Sequence, residues 1–262
     1  MRLYLSTVFE NLCQYQLLVR NPNVLKESVN NAHILLSFAY MKEEYVHYYS
    51  ECKSLMMDSG AFTIMNNKKS KNSFNPMEYC KKYAEHIKKN NIDLFLELDI
   101  EGVYGFDVYK DCLHCLQDIT GKDPIYVFHK WRGIDYYKEL VKQKDYIALG
   151  DVSVGAGGRE LYKYFPWFLN EAHKNNCKVH GLAFTSLNDL QFMNFDSVDS
   201  SSWTAGSRYA SLSLFNGHNI SRYDAKRTEK KELCHNEKVF LHDYCEWKKL
   251  SQYFDKEYEP IW

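Results

Sequence analysis

LFLELDI, residues 94–100, is the stretch whose reading decides the fold. It is a short apolar run in which carboxylates, Glu97 and Asp99, appear only toward the end, and Glu101 extends the alternation. Such a run reads as a buried strand with its polar groups gathered at the C-terminal mouth. Working outward, the same pattern recurs in RLYLS (2–6), HILLSF (33–38), SLMMD (54–58), IYVFH (125–129), YIALG (146–150), KVHGLAF (178–184) and FDSVD (195–199). Helix-period segments lie between the runs. NPMEYCKKYAEHIKKNN predicts a helix capped by Asn75 with Pro76 at its first position. RELYKYFPWFLNEAHKNN places Leu161, Tyr164, Phe165, Phe168, Leu169 and Ala172 on one face, with Pro166 either kinking the helix or marking its start. Eight strands alternating with helices predict an α/β fold, a (β/α)8 TIM-type barrel over residues 1–208, with a doubly wound open sheet as the alternative. Residues 209–262 read as a short C-terminal appendage packed on the barrel: an extra strand pair or an arm in YASLSLFNG, a charged stretch, and a terminal helix rich in Tyr, Trp and Leu.

Composition narrows the function classes. With 262 residues the chain fits one large domain, and a formal net charge of −1 supplies no global field to recruit a polyanion, so nucleic acid would need a local patch. The aromatic share is high, at 16% with 21 tyrosines, which gives many stacking surfaces. Eight scattered cysteines, no apolar leader at MRLYLSTVFENLCQ and no apolar run near the ~20 residues of a membrane span predict a soluble, cytoplasmic protein with reduced thiols.

In a parallel barrel the chemistry sits at the C-terminal strand ends. Asp58 closes the third run, Glu97, Asp99 and Glu101 the fourth, His129 and Lys130 the fifth, Gly150 and Asp151 the sixth, and Asp199 the eighth. One such carboxylate often caps a helix; several crowded at one mouth repel unless each has a task, and such pairs perform acid/base and nucleophilic work. In DSGAF, Ser59 and Gly60 are small enough for backbone to approach a flat ligand. Gly155, Gly157 and Gly158 suit either an anion cradle or a plain loop. Asp196, at odd offset from Asp199, is directed to the opposite side of its strand and reads as structural.

These residues resemble the tRNA-guanine transglycosylase superfamily, most closely its DNA-acting DpdA branch found in phages and bacterial gene clusters. DSGAF is similar to the family's DSGGF, LDIE to its strand-end Asp, IALGDVSVG to its GGLAVG loop, GLAFTSLNDL to its GVG-x-P-x-D-L segment, and VDSSSW to the VDSTSW form of the DNA-acting branch. The resemblance spans residues 54–208 in order. It implies that Asp199 is the nucleophile, that Asp58 is the general acid/base, and that Asp99 binds the polar edge of the base. It also implies that Gly150 and its neighbours offer backbone groups, that guanine in DNA is exchanged for a preQ0-like 7-deazaguanine, and that a helicase-like partner is possible. Trp203 and Trp131 are candidate stacking walls, and Ser59, Gly60, His129, Asp151 and Arg208 candidate contacts. No redox or nucleotide cofactor is expected.

Departures from the family pattern are specific. Asp151 stands where the family has glycine, His129–Lys130 where the tRNA enzymes carry Gln-Gly, and Thr63 follows Phe62 in place of glutamine. The family's C-x-C-x2-C zinc cluster is missing; Cys234, His235, His242 and Cys245 offer either a zinc site or ordinary thiols and surface histidines. Arg222, Lys226, Arg227, Lys230 and Lys231 suit phosphate contacts or a solvated helix end. The alternatives are a tRNA-directed exchanger, a non-catalytic barrel subunit that binds nucleic acid or nucleobase, and a barrel glycoside hydrolase using Asp58 and Asp199.

Overall fold

The computed structural model describes residues 1–12, 22–66, 74–150, 162–184, 186–190, 192–224 and 236–257. All eight runs are parallel strands: β1 (Arg2–Ser6), β2 (His33–Ser37), β3 (Ser54–Asp58), β4 (Leu94–Phe95), β5 (Tyr126–Phe128), β6 (Tyr146–Leu149), β7 (Lys178–Gly181) and β8 (Ser197–Ser200). They form one sheet in the order β4-β3-β2-β1-β8-β7-β6-β5. That order is a ring cut between β4 and β5, and the cut is joined. Ile125 N–H donates to Phe95 O at 2.8 Å and Glu97 N–H to Ile125 O at 3.1 Å, around a parallel bridge from Leu96 to Ile125. The fold is therefore an α/β barrel of the (β/α)8 TIM type; a doubly wound sheet would leave both edge strands unpaired.

Strand alternation sorts the apolar residues into two layers. Tyr4, Leu35, Met56, Leu96, Ile125, Val127 and Ala148 pack together inside the ring. Leu3, Leu5, Ile34, Met57, Phe95, Phe128, Ile147, Val179 and Val198 join the larger cluster under the helices.

The outer layer comprises α1 (Val8–Leu12), α2 (Pro22–Val29), α3 (Ala61–Asn66), α4 (Pro76–Lys89), α5 (Phe106–Thr120), α6 (Ile134–Gln143) and α7 (Phe165–Lys174). Helix α4 starts as its sequence predicts: the Asn75 side chain accepts from Glu78 N–H at 3.1 Å, and Cys80, Tyr83, Ala84 and Ile87 form the buried face. Pro166 lies in the first turn of α7, so it marks a start rather than a kink; Tyr164 is exposed, and Leu161 lies outside the described residues. The β2–β3 connection differs from the regular pattern, since a 3-10 run over Glu43–Glu51 replaces an α-helix.

Beyond β8 come α8 (Ala205–Tyr209), an antiparallel hairpin of β9 (Ser211–Phe215) and β10 (Ile220–Asp224), and α9 (Glu237–Glu257). Helix α9 places Phe240, Tyr244, Trp247, Leu250 and Phe254 in the main core, and Ser251 Oγ donates to Leu3 O at 2.7 Å. It also completes the edge of β9. Asp243 accepts from Ser213 N–H at 2.6 Å and Glu246 from Phe215 N–H at 2.8 Å, so this strand leaves few open donors. No helix among the described residues is long and apolar enough to cross a membrane.

The seam carries a buried carboxyl. Glu97, 1% exposed, accepts Val127 N–H at 2.9 Å on one oxygen and Tyr109 O–H at 2.6 Å on the other. Burial pushes its pKa up to about 7 against the lowering effect of these two donors. Removing the side chain unpairs both donors and opens a void at the ring closure. Glu97→Ala is expected to cost about 2–4 kcal/mol, read as a lower urea midpoint, with Glu97→Gln milder because its amide oxygen still satisfies one donor.

Candidate active site

Four strand ends bring the candidate groups to one mouth: Asp58 closes β3, Asp199 lies in β8, and Asp99 and His129 follow β4 and β5. Asp58 shares strand parity with the inward Met56. Asp199 is paired in register with the inward Tyr4. Asp196 has the opposite parity and points to the helix layer, accepting from Val179 N–H at 2.8 Å and bonding His173 at 2.9 Å.

Asp199 is 6% exposed, and its two oxygens are treated differently. Oδ1 accepts Ala183 N–H at 2.6 Å, and His180 Nε2 stands 3.4 Å from the same oxygen. Among the described residues Oδ2 accepts no hydrogen bond. Ala183 aims its N–H from a left-handed backbone, φ 52°, a conformation costing an alanine about 1–2 kcal/mol.

Asp58 is half-buried, with the Gly60 N–H near its carboxyl. Burial raises its pKa, the Gly60 N–H opposes the rise, and the charges of Asp199 and Asp99 add to it, leaving it at about 6. Asp58 thus feels the charge of both Asp199 and Asp99 across the mouth. Asp99 Oδ2 in turn meets His129 Nε2 at 2.7 Å. The Trp131 indole lies nearly parallel to the His129 ring, centroids 6.1 Å apart, and is 56% exposed.

Several expected contacts have partners within the protein. Ser59 is 2% exposed; its Oγ accepts Ala61 N–H at 3.4 Å as a start to α3, and its carbonyl accepts Tyr79 O–H at 2.5 Å. Gly60 (φ 68°) is small because a Cβ would stand 2.5 Å from Ala39 Cβ and Ser37 Oγ. Its smallness accommodates the end of β2. Gly150 N–H is spent on Phe128 O at 2.9 Å, and a Cβ there would strike the His129 ring at 2.6 Å. Trp203 is corrected outright: it is fully buried, its Nε1–H donates to Ser6 O at 2.8 Å, and it packs on Phe240 and Tyr244, so it cannot wall a pocket. Glu101 is tied to Arg132, whose guanidinium sits 5.0–5.4 Å from the rings of Tyr109, Trp131 and Tyr136. Glu97 belongs to the seam.

Arg208 is exposed on α8, 5.7 Å over the Tyr209 ring. Arg222 donates to Ser202 O at 3.1 Å and, with Ser186 and Asn219, lines a groove beside the β8 turn. Asp151, the glycines at 155, 157 and 158, and the cations at 226, 227, 230 and 231 lie outside the described residues, as do Cys234 and His235. Of the remaining zinc candidates, His242 Nε2 contacts Ser213 O at 2.9 Å and Cys245 is exposed; no metal-holding group occurs among the described residues.

The residue that strand-end logic overlooked is His180. Its signal was a lone imidazole at inward parity within the apolar run KVHGLAF.

The Asp58 shift has a stability consequence. Its folded pKa is about 6, above the ordinary 3.8, so over that window the folded chain holds a proton that the unfolded chain has lost. Stability from this group is therefore lost as pH rises through about 6. Asp58→Asn is expected to melt about 2–4 °C above the native protein at pH 8, the shift that ~1 kcal/mol gives at this size. The difference should vanish in melts at pH 4. Against protein-family models the chain has no match, and it matches no curated protein.

Proposed function

We propose that the protein is a transglycosylase that exchanges guanine in nucleic acid, DNA in preference to tRNA, for a 7-deazaguanine. The observation that carries this is the unequal pair at the mouth: Asp58 held near pKa 6 beside Asp199 with one uncommitted oxygen. Replacing a base with retention requires two displacements at one sugar carbon, hence a carboxylate that bonds the sugar and a second that moves protons. Asp199 Oδ2 attacks C1′, the C1′–N bond breaks, and protonated Asp58 gives its proton to the departing guanine. Asp58, now ionised, removes a proton from the incoming base. That base attacks C1′, and the electron pair of the C1′–O bond returns to Asp199. Atoms and charge balance without oxidant, reductant or nucleotide cofactor.

A pKa of about 6 suits a group that must give and then take a proton near neutrality. The exposed Trp131 ring beside Asp99 and His129 is a stacking surface for a base drawn out of its strand. Arg222 and Arg208 offer cations to phosphates near the β8 turn. The choice of DNA rests on the VDSSSW resemblance.

The test is trapping on denaturing gels with guanine-containing duplex DNA, single-stranded DNA and tRNA, alongside incorporation of labelled guanine. Native protein is expected to give a covalent adduct and label uptake with DNA above tRNA, and Asp199→Asn neither. Asp58→Asn should retain DNA binding and lose about 10²–10⁴-fold in exchange. Adduct-free binding by native protein would favour a non-catalytic subunit, and sugar release from carbohydrate alone a hydrolase.

A further inference from the structure

We propose that His180 is the positioning residue for Asp199, set by a one-directional hydrogen-bond chain that starts at Tyr146; the inference rests on Asp199 being the nucleophile. Four side chains make the chain. Tyr146 O–H and Ser197 Oγ are 2.5 Å apart, Ser197 Oγ and His180 Nδ1 are 2.5 Å apart, and His180 Nε2 faces Asp199 Oδ1 at 3.4 Å. His180 is fully buried and Ser197 1% exposed, so water does not compete. Tyr4 packs edge-on against the imidazole at 6.0 Å and closes the remaining side.

With a neutral imidazole, proton counting fixes the directions. A serine hydroxyl has one proton and two lone pairs, so it donates to at most one of its two contacts. A neutral imidazole likewise has one donor and one acceptor nitrogen. The nitrogen beside a carboxylate is attractive only as a donor. Nε2 therefore carries the proton, Nδ1 accepts from Ser197, and Ser197 accepts from Tyr146. Every proton in the chain points toward Asp199.

A histidine retained only for packing would satisfy both nitrogens, as buried polar groups generally do. Here Nδ1 is tightly bonded, while Nε2 makes no well-formed hydrogen bond. It stands 3.4 Å from Asp199 Oδ1 without completing a hydrogen bond, a contact that a small shift of the ring would close. Together with Ala183 N–H it makes Oδ1 the held oxygen and leaves Oδ2 for the sugar.

The consequence is unequal for the two displacements. When the ester forms, Oδ1 becomes a carbonyl oxygen and loses charge. When the ester is displaced by the incoming base, charge returns to the carboxylate. A donor on Oδ1 therefore favours expulsion of Asp199 and slightly restrains its attack. Removing it should slow ester breakdown much more than ester formation, a split that loss of packing does not produce.

The experiment measures single-turnover adduct formation with guanine-containing DNA, then its chase by unlabelled guanine, for native protein, His180→Ala, His180→Gln, Ser197→Ala and Tyr146→Phe, each checked by thermal unfolding. His180→Ala is expected to chase about 10- to 100-fold more slowly and to accumulate adduct, with formation changed less than about 3-fold. His180→Gln, which keeps a donor and the volume, should recover much of the chase rate. Ser197→Ala and Tyr146→Phe should give intermediate losses by freeing the tautomer, and they decide the matter if His180→Ala does not fold. Native protein that forms adduct, with chase rates unchanged in the folded variants or reduced in parallel with formation, overturns this role alone. Native protein that forms no adduct overturns it together with the function on which it rests.

Discussion

Closure of the ring between β4 and β5 is the constraint on which the site depends. Asp99 and His129 belong to the two strands on either side of the seam, Asp58 lies one strand from it, and Asp199 comes from the far wall. Only when Phe95, Glu97 and Ile125 exchange hydrogen bonds does the sheet become a barrel with a single mouth. The strand that makes the closure is just Leu94–Phe95 plus a bridge. Glu97 extends the hold by accepting Val127 N–H on its side chain, while Tyr109 from α5 fixes the carboxyl from outside. A buried acid is an uncommon fastener, tolerated here because both of its oxygens find donors.

Crowding of the carboxylates is a cost that the protein controls by giving each a different partner. Asp99 meets His129, Asp199 meets Ala183 N–H and faces His180, and Asp58 has the Gly60 N–H. Asp58 is the one whose environment leaves its proton loosely held near neutrality. The same burial that disfavours ionised Asp58, with the charges of Asp199 and Asp99 added to it, supplies a group able to give and accept a proton, an instance of function drawn from local destabilisation.

Much of the fold was legible before any coordinates. The eight apolar runs and the Asn75 cap follow from local chemistry, whereas the sequence leaves Pro166 open between kink and start and places the late strand pair in YASLSLFNG, whose second strand in fact lies at Ile220–Asp224. The site was legible only in part. Asp58, Asp99 and Asp199 were visible as strand-end acids. The roles of Ser59, Gly60 and Gly150 were not, because what a small residue accommodates depends on which neighbour approaches it: Ala39 for Gly60 and the His129 ring for Gly150. Trp203 reads as a pocket wall beside Asp199, yet the 3-10 turn Ser202–Thr204 directs the indole under α9, where Phe240 and Tyr244 receive it.

What the sequence by itself determined is the set of strands and the face each residue presents, since a period of two is written into the chain regardless of its neighbours. Tertiary structure alone decided which carboxylates meet charge and which meet donors. Glu97 and Asp99 are two residues apart and alike in sequence, but one fastens the seam through Tyr109 and Val127 while the other reaches His129 at the mouth. His180 and Asp199, 19 positions apart, acquire their relation only because β7 and β8 are adjacent in the ring, with His180 opposite Ser197. Electrostatic interactions depend on distance through space, and the chain alone does not specify that distance until the barrel closes.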